Sequence, residues 1–358
     1  MASFPADSVL FSGRTAQESG VVKFDNPGVS FSFIVNGADS VSALLSQAVD
    51  ATYGSPNYFS VFVDGELRPN ANSSLPFSFS TENWESDTIY PVTLVDGLDS
   101  SSHRIDVFKC SEAQWNGKTV APNYVSLHGL DCTGDRDIDV TKSTPPQRRI
   151  EFIGDSITAG YCNLCEQFPA VKNAAAESHF DSWPAAVARI VSAEFHSVAW
   201  SGYGIVNNCC GGSTHMPAVY SRALSSDSGS VWSLSDWIPD AVVINLGTND
   251  VGSGAYDEAA FVSAYTKLCL DIVGGYGPST ALFLACGPMT DKYCGGVRGT
   301  VEAVAAAAAS SGMSLVVQML DQTRLGIANS CCGHPSASED AILAMHAAEQ
   351  IMQSLGWE

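Results

Sequence analysis

The spacing of apolar and polar positions changes near residue 145. Before it, short runs at 29–35, 58–63, 90–94 and 103–108 alternate apolar and polar residues between turn signals such as Asp64-Gly65 and Asp96-Gly97. A period of two puts every second side chain on one face of a sheet. Only 40–49 hints at helical spacing. The pattern predicts an all-β antiparallel sandwich domain over residues 1–143. Thr141-Lys142-Ser143-Thr144-Pro145-Pro146-Gln147 is polar and carries two prolines, and 144–147 is read as a linker.

From 148 to 358 the pattern becomes strand, loop, helix, repeated. An apolar run at 149–153 ends at Gly154, and Ser182-Trp183-Pro184 opens a helix to about Phe195. Strands are expected at 197–200, 241–246, 281–285 and 314–319, with helices at 257–272 and 297–311. A closing helix at 338–355 places its apolar stripe at Ala341, Ile342, Met345, Ala348 and Ile351. Strands and helices of these lengths in alternation imply an α/β domain with a parallel sheet covered on both faces. Ligands of such sheets sit beyond the carboxyl ends of the strands, which is where chemistry is sought.

Composition narrows the setting. Of 358 residues 45 % are hydrophobic and 15 % charged, with mean hydropathy +0.07, which excludes a disordered chain. Seventeen basic residues against 38 acidic give a net charge of −21, so neither nucleic acid nor an anionic membrane surface is an expected partner. No stretch approaches the ~18 consecutive apolar residues of a membrane span. The charge divides evenly, 8 basic and 18 acidic residues up to Gln147 and 9 and 20 after it, so it belongs to the whole exterior.

Eleven cysteines, several in close sets, point to an oxidising compartment. A zinc site would want two CxxC knuckles where the chain has one, so no metal is expected. Met1–Asp7 has neither a basic nor an apolar leader region, which reads as a cytosolic start or a chain whose signal peptide has been removed. The cysteines, with the sequon Asn72-Ser73-Ser74, favour a secreted protein.

Four loops carry the candidate chemistry. Ser156, in Gly154-Asp155-Ser156, follows the first strand directly, where a hydroxyl is exposed at the sheet edge. Ser201-Gly202-Tyr203-Gly204 follows the second strand, with small residues that let backbone amides face a ligand. Gly247-Thr248-Asn249-Asp250 follows the third and offers an amide side chain. His334, in Cys332-Gly333-His334-Pro335, precedes the last helix on the same edge. Each alone reads as a turn, but acyl transfer needs a nucleophile, a base and several donors aimed at one point. His179 and His215 are weaker candidates for the base, and His196 and His346 read as structural. Asp155 and Asp250 read as loop anchors.

These four blocks, in this order and spacing, resemble those of the SGNH (GDSL-type) hydrolases. With Arg149–Ile153 leading into the serine and Val243–Leu246 leading into Gly247, the chain is similar to carbohydrate esterase family 2. In the front half, Ser12–Thr15, Val63–Gly65, Gly97-Leu98, His103 and Lys109 resemble that family's N-terminal β-domain. The resemblance implies a flavodoxin-like SGNH domain behind a jelly-roll-like sandwich. It further implies an esterase that removes acetyl groups from polysaccharides of xylan or mannan type, with no cofactor. Ser156 is then the nucleophile and His334 the base. The backbone N–H groups of Ser156 and Gly202 and the Asn249 amide form the oxyanion hole.

Two departures mark the chain. The fourth SGNH block places Asp three residues before the histidine, and here that position is Cys331. The resemblance to family-2 members that use a Ser–His dyad predicts a backbone carbonyl near Ser330–Cys332 as the acceptor for the imidazole, with Asp321 the runner-up. Cys162 and Cys165, Cys209 and Cys210, and Cys331 and Cys332 flank the catalytic loops. Disulfides among them would either brace the His334 loop in place of the aspartate or stabilise mobile loops without reference to catalysis. Cys110 and Cys132 form a further candidate pair. Tyr161, Tyr203, Trp200 and Trp232 are candidate sugar contacts, Trp200 reading more as core, and the protein is expected to be a monomer acting on acetylated poly- or oligosaccharide. Competing readings are an esterase for lipid, aryl or other short acyl esters and an inert carbohydrate-binding protein. An α/β-hydrolase lacks its GxSxG elbow here, and a metalloesterase its HExxH.

Overall fold

The computed structural model describes residues 1–48, 56–70, 75–113, 123–135, 137–168 and 173–358. The sequon Asn72-Ser73-Ser74 and Val49 lie outside the described residues. The chain divides into two compact units, Met1–Pro145 with Arg222–Val231, and Pro146–Ser221 with Trp232–Glu358.

Among the described residues, the first unit stacks two antiparallel sheets. One runs Tyr90–Asp96, Ser40–Gln47, Val125–Thr133, Val21–Phe24, Ala16–Glu18, with Ala2–Pro5 also on Val125–Thr133. The other runs Asp139–Lys142, Ser30–Asn36, His103–Lys109, Tyr58–Val63, Glu66–Leu67, with Leu10–Ser12 and Phe79–Ser80 attached. Inward positions of both, including Phe31, Phe33, Val41, Leu45, Val61, Ile105 and Leu127, form one buried core. Ser40–Gln47 is therefore a strand and not a helix. Val41, Leu44, Leu45 and Ala48 have helical spacing, but Val41, Ala43 and Leu45 also alternate, and pairing on both edges decides for the strand.

The segment Arg222–Val231 completes this unit from far along the chain. Buried Asp25 accepts the N–H groups of Ser225 and Ser226 at 2.9 and 2.7 Å. Asn26 accepts the Ser225 hydroxyl at 2.6 Å, and Arg14 donates to the carbonyl of Arg222 at 3.0 Å. Nothing in the apolar pattern signals this. Cys110 and Cys132 are both buried, and no disulfide joins them.

The second unit holds a parallel sheet in the order Ala193–Ala199, Arg148–Gly154, Ala241–Asn245, Ala281–Cys286, Val317–Asp321. Helices α1 (Ser156–Ala159), α2 (Trp183–Ile190), α3 (Met216–Tyr220), α4 (Thr248–Gly252), α5 (Glu258–Tyr276), α6 (Cys294–Ser310) and α7 (Ala337–Leu355) accompany it. Central strands are buried on both faces, as their unbroken apolar runs require. Gly154 pairs with Ala199 on one side and Asn245 on the other, so the loops after these three strands leave the sheet at one level.

Three elements differ from the sequence reading. Helix α2 stops at Ile190, and Ser192, at φ 53°, turns the chain so that the strand begins at Ala193 and includes Phe195 and His196. The last strand lies at 317–321, not 314–319. Helix α7 buries Leu343, Ala344, Ala347, Ala348 and Ile351 in the same cluster as Trp183 and Val187 of α2. Ile342 and Met345, expected inside, are exposed. The alanines form the buried face because small side chains let two helices approach closely.

Candidate active site

Ser156 opens α1 immediately after the strand ends, capped by Asp155, whose Oδ1 accepts the Ile157 N–H at 3.0 Å. Gly154 must be glycine here, since a Cβ would stand 2.0 Å from Thr158 Oγ1. The other carboxylate oxygen of Asp155 accepts the Asn249 amide at 2.9 Å, which ties the first loop to the third. Asn249 lies in the first turn of α4, and its amide nitrogen also donates to the Tyr203 carbonyl at 2.8 Å. Buried Asp250 accepts the N–H groups of Ile205, Val206 and Asn207 at 2.9, 2.7 and 2.9 Å and so holds the Gly202 loop. Burial pushes its pKa up against the opposing pull of these three donors. Both aspartates anchor loops.

His334 arrives on a tight turn. Cys331 and His334 exchange backbone bonds of 2.9 and 2.8 Å, with Cys332 at φ 55° and Gly333 at φ 78° between them. Two left-handed central residues make this a type I′ turn, for which glycine at the second place is suited. The turn sets the imidazole so that Nε2 lies 2.8 Å from Ser156 Oγ and Nδ1 lies 3.2 Å from the Cys332 carbonyl. Nδ1 therefore carries the proton and donates to the carbonyl, leaving the Nε2 lone pair for the serine. Burial lowers the His334 pKa, and the Cys332 carbonyl opposes this only in part. Asp321 is engaged by the N–H and hydroxyl of Thr323, at 3.0 and 2.6 Å, while Cys332 supplies the contact to Nδ1.

The cysteine pairs are now visible. Cys162 bonds to Cys332 and Cys165 to Cys331, so the serine loop and the histidine turn are joined twice. Cys209 bonds to its neighbour Cys210 and does not tie the Gly202 loop to another loop. Cys209 packs close to Gly202 instead, where a Cβ would meet its sulfur at 3.3 Å. A fourth disulfide, Cys286–Cys294, joins the end of a strand to the start of α6 and was not foreseen.

Of the aromatic candidates, Tyr161 sets its ring 5.0 Å from the His334 ring, edge to face. Trp200 is buried and stacks on Tyr203 at 4.8 Å. Trp232 contacts His196, in the middle of the sheet opposite Glu151, away from the carboxyl edge where Ser156 sits. His179 is buried with Nδ1 3.1 Å from the Ala159 carbonyl, and His215 occupies the N-cap position of α3 without a capping bond from its side chain. Glu339 was missed, although Ser336-Ala337-Ser338-Glu339 has the S-x-x-E pattern of a capping box and forms one. Among the described residues no group of three or more His, Cys, Asp or Glu could hold a metal ion, and no helix is long and apolar enough to cross a membrane.

A serine hydroxyl, a histidine on it and three loops wired together at one edge can perform acyl transfer. The family profile described as GDSL-like Lipase/Acylhydrolase matches residues 152–338, from the serine strand to just beyond His334. The chain belongs to this family. The chain is 34 % identical over 241 residues to the cellulase/esterase CelE of Acetivibrio thermocellus, a match that spans 66 % of this chain and 26 % of that protein. It is 25 % identical to an acetylxylan esterase / glucomannan deacetylase of Cellvibrio japonicus, over 96 % of this chain and 88 % of that one. The structure of a family two carbohydrate esterase from Clostridium thermocellum in complex with cellohexaose superposes with TM-score 0.80 at 27 % identity, covering 98 % of this chain and all of that one. The chain thus spans about a quarter of the length of the Acetivibrio relative and most of the Cellvibrio one.

Proposed function

We propose that this family member is a secreted serine esterase that removes O-acetyl groups from polysaccharides of xylan or mannan type. The observation that carries the reading is His334, bonded to Ser156 Oγ through Nε2 and to the Cys332 carbonyl through Nδ1. Ser156 attacks the acetyl carbonyl while His334 takes its proton. The tetrahedral oxyanion is received by the backbone N–H groups of Ser156 and Gly202 and by the Asn249 amide. Collapse expels the sugar oxygen, which takes the proton from His334, and water then releases acetate from Ser156 by the same steps. The Cys332 carbonyl orients the ring but is neutral, so it stabilises the imidazolium less than a carboxylate does.

The likeness in overall structure to a family two esterase holding cellohexaose supports an oligosaccharide substrate, and Tyr161, Trp200 and Tyr203 are the aromatic groups at hand. A net charge of −21 suits a neutral glycan and disfavours nucleic acid, anionic membranes and polyuronates. The disulfides agree with secretion. In this reading residues 1–143, completed by 222–231, form a jelly-roll-like domain, 144–147 a linker and the remainder of 148–358 the hydrolase, and the protein works as a monomer without metal or cofactor. Acetate release from a panel of acetylated xylans and mannans tests it. Wild type should release acetate, and Ser156→Ala and His334→Ala should not. Equal release by the Ser156→Ala variant would overturn the proposal.

A further inference from the structure

Glu339 is a buried carboxylate outside the Ser156–His334 pair, and the loop that carries His334 converges on it. Its Oε1 accepts the Ala328 N–H at 2.6 Å. Its Oε2 accepts the N–H of Ser330 at 3.2 Å and the N–H of Ser336 at 2.8 Å, and the Ser330 hydroxyl lies 3.0 Å away. One oxygen therefore pins both ends of the segment 330–336, and the turn Cys331-Cys332-Gly333-His334 is the middle of that segment. Between those ends lie the imidazole and the carbonyl that orients it.

We propose that Glu339 is the positioning residue for His334, holding through the loop the orientation that a carboxylate three residues before the histidine would impose by direct contact. This rests on the Ser156–His334 reading above. Burial pulls the Glu339 pKa up, but the N–H groups of Ser336, Ser330 and Ala328 outweigh it and hold the group below the usual carboxylate range. It stays ionised while the enzyme works. The other carboxyls nearby are Glu166, which meets the Ser330 and Ser338 hydroxyls from the serine loop, and Asp340, which accepts the Asn163 amide. Neither receives a backbone N–H from both ends of the turn's segment in this way.

Capping α7 is the competing explanation, since Ser336 Oγ also accepts the Glu339 N–H. Ser336→Ala removes that cap bond and leaves the carboxylate with its loop donors. Glu339→Gln keeps the size but puts an amide where N–H groups need an acceptor. Glu339→Gln should lower kcat for acetate release about 10–100-fold, the scale of a misplaced catalytic group. KM should change little, and the acid limb of kcat/KM should move up toward an ordinary histidine as the loosened imidazole regains water. Ser336→Ala should lower Tm but keep kcat and the limb. Glu339→Asp retains charge and an acid in the first turn of α7 but falls short of the loop, and serves if the glutamine variant does not fold. It should change kcat in the same direction. Wild-type kcat and pH limb in a folded Glu339 variant, or an equal kcat loss in Ser336→Ala, overturns the inference. Run beside them, Ser156→Ala and His334→Ala separate the two levels: if they are inactive and Glu339→Gln is normal, only the positioning role falls, and if they are active, both readings fall.

Discussion

His334 Nε2 stands 2.8 Å from Ser156 Oγ across 178 residues of sequence, and the imidazole is neutral when it does its work. Burial lowers its pKa below the ordinary value of about 6.5. The neutral form is the base, so kcat/KM should be full above that lowered pKa and fall as pH drops through it. A pH profile on a soluble acetyl ester should place the acid limb below about 6.5. A limb above that value would mean that His334 is not buried during catalysis.

Asn249 has two amide protons, one toward Asp155 and one toward the Tyr203 carbonyl, so an oxyanion must share one of them. Asn249→Ala should lower kcat by about 10²–10³, the usual effect of losing one oxyanion donor. KM for the acetylated glycan should change little, because the donor acts on charge that develops only in the transition state. A change confined to KM would instead assign Asn249 to ground-state binding.

The two disulfides between the serine loop and the histidine turn are nested, with sequence separations of 170 and 166. Once one is closed, the other closes only a ring of a few residues. On loop entropy alone, removing either pair as serines should cost about 2 kcal/mol and removing both about 7 kcal/mol. The double loss then exceeds the sum of the single ones. Denaturant unfolding of the three variants tests this, and strict additivity would count against it.

Cys331 and His334 face each other across their turn as a bridged pair. Cys165→Ser with Cys331→Asp removes one disulfide and sets a carboxylate beside the imidazole. An anion there favours the charged ring, so the acid limb should move to higher pH than in a Cys165→Ser, Cys331→Ser control. Coincident limbs in the two variants would mean that a carboxylate at 331 does not reach Nδ1.

Much of the site was legible because three of the four blocks sit where a strand leaves the sheet, with Gly154, Ala199 and Asn245 in register, while the His334 block stands just before the last helix. What failed has physical reasons. Residues 40–47 fit two periods, and only their neighbours in the sheet select one. In α7 the buried face is largely alanine, which a search for large apolar residues passes over. Cysteine pairing depends on approach in space, so Cys209 closing on Cys210 could not be told from a bridge between loops. Glu339 carried a readable capping signature, but its hold on the His334 turn comes from loop donors eleven, nine and three residues earlier.

The first unit borrows Arg222–Val231 from the far side of the serine loop in sequence. In synthesis order, the partners of Asp25, Asn26 and Arg14 emerge from the ribosome only after the nucleophile has appeared. The leading sandwich therefore cannot finish as an independent first piece, and a chain cut at Pro145 leaves its buried polar groups without these partners. The two units are interleaved along the chain, so the first reaches its full set of buried partners only once residues 222–231 have been made.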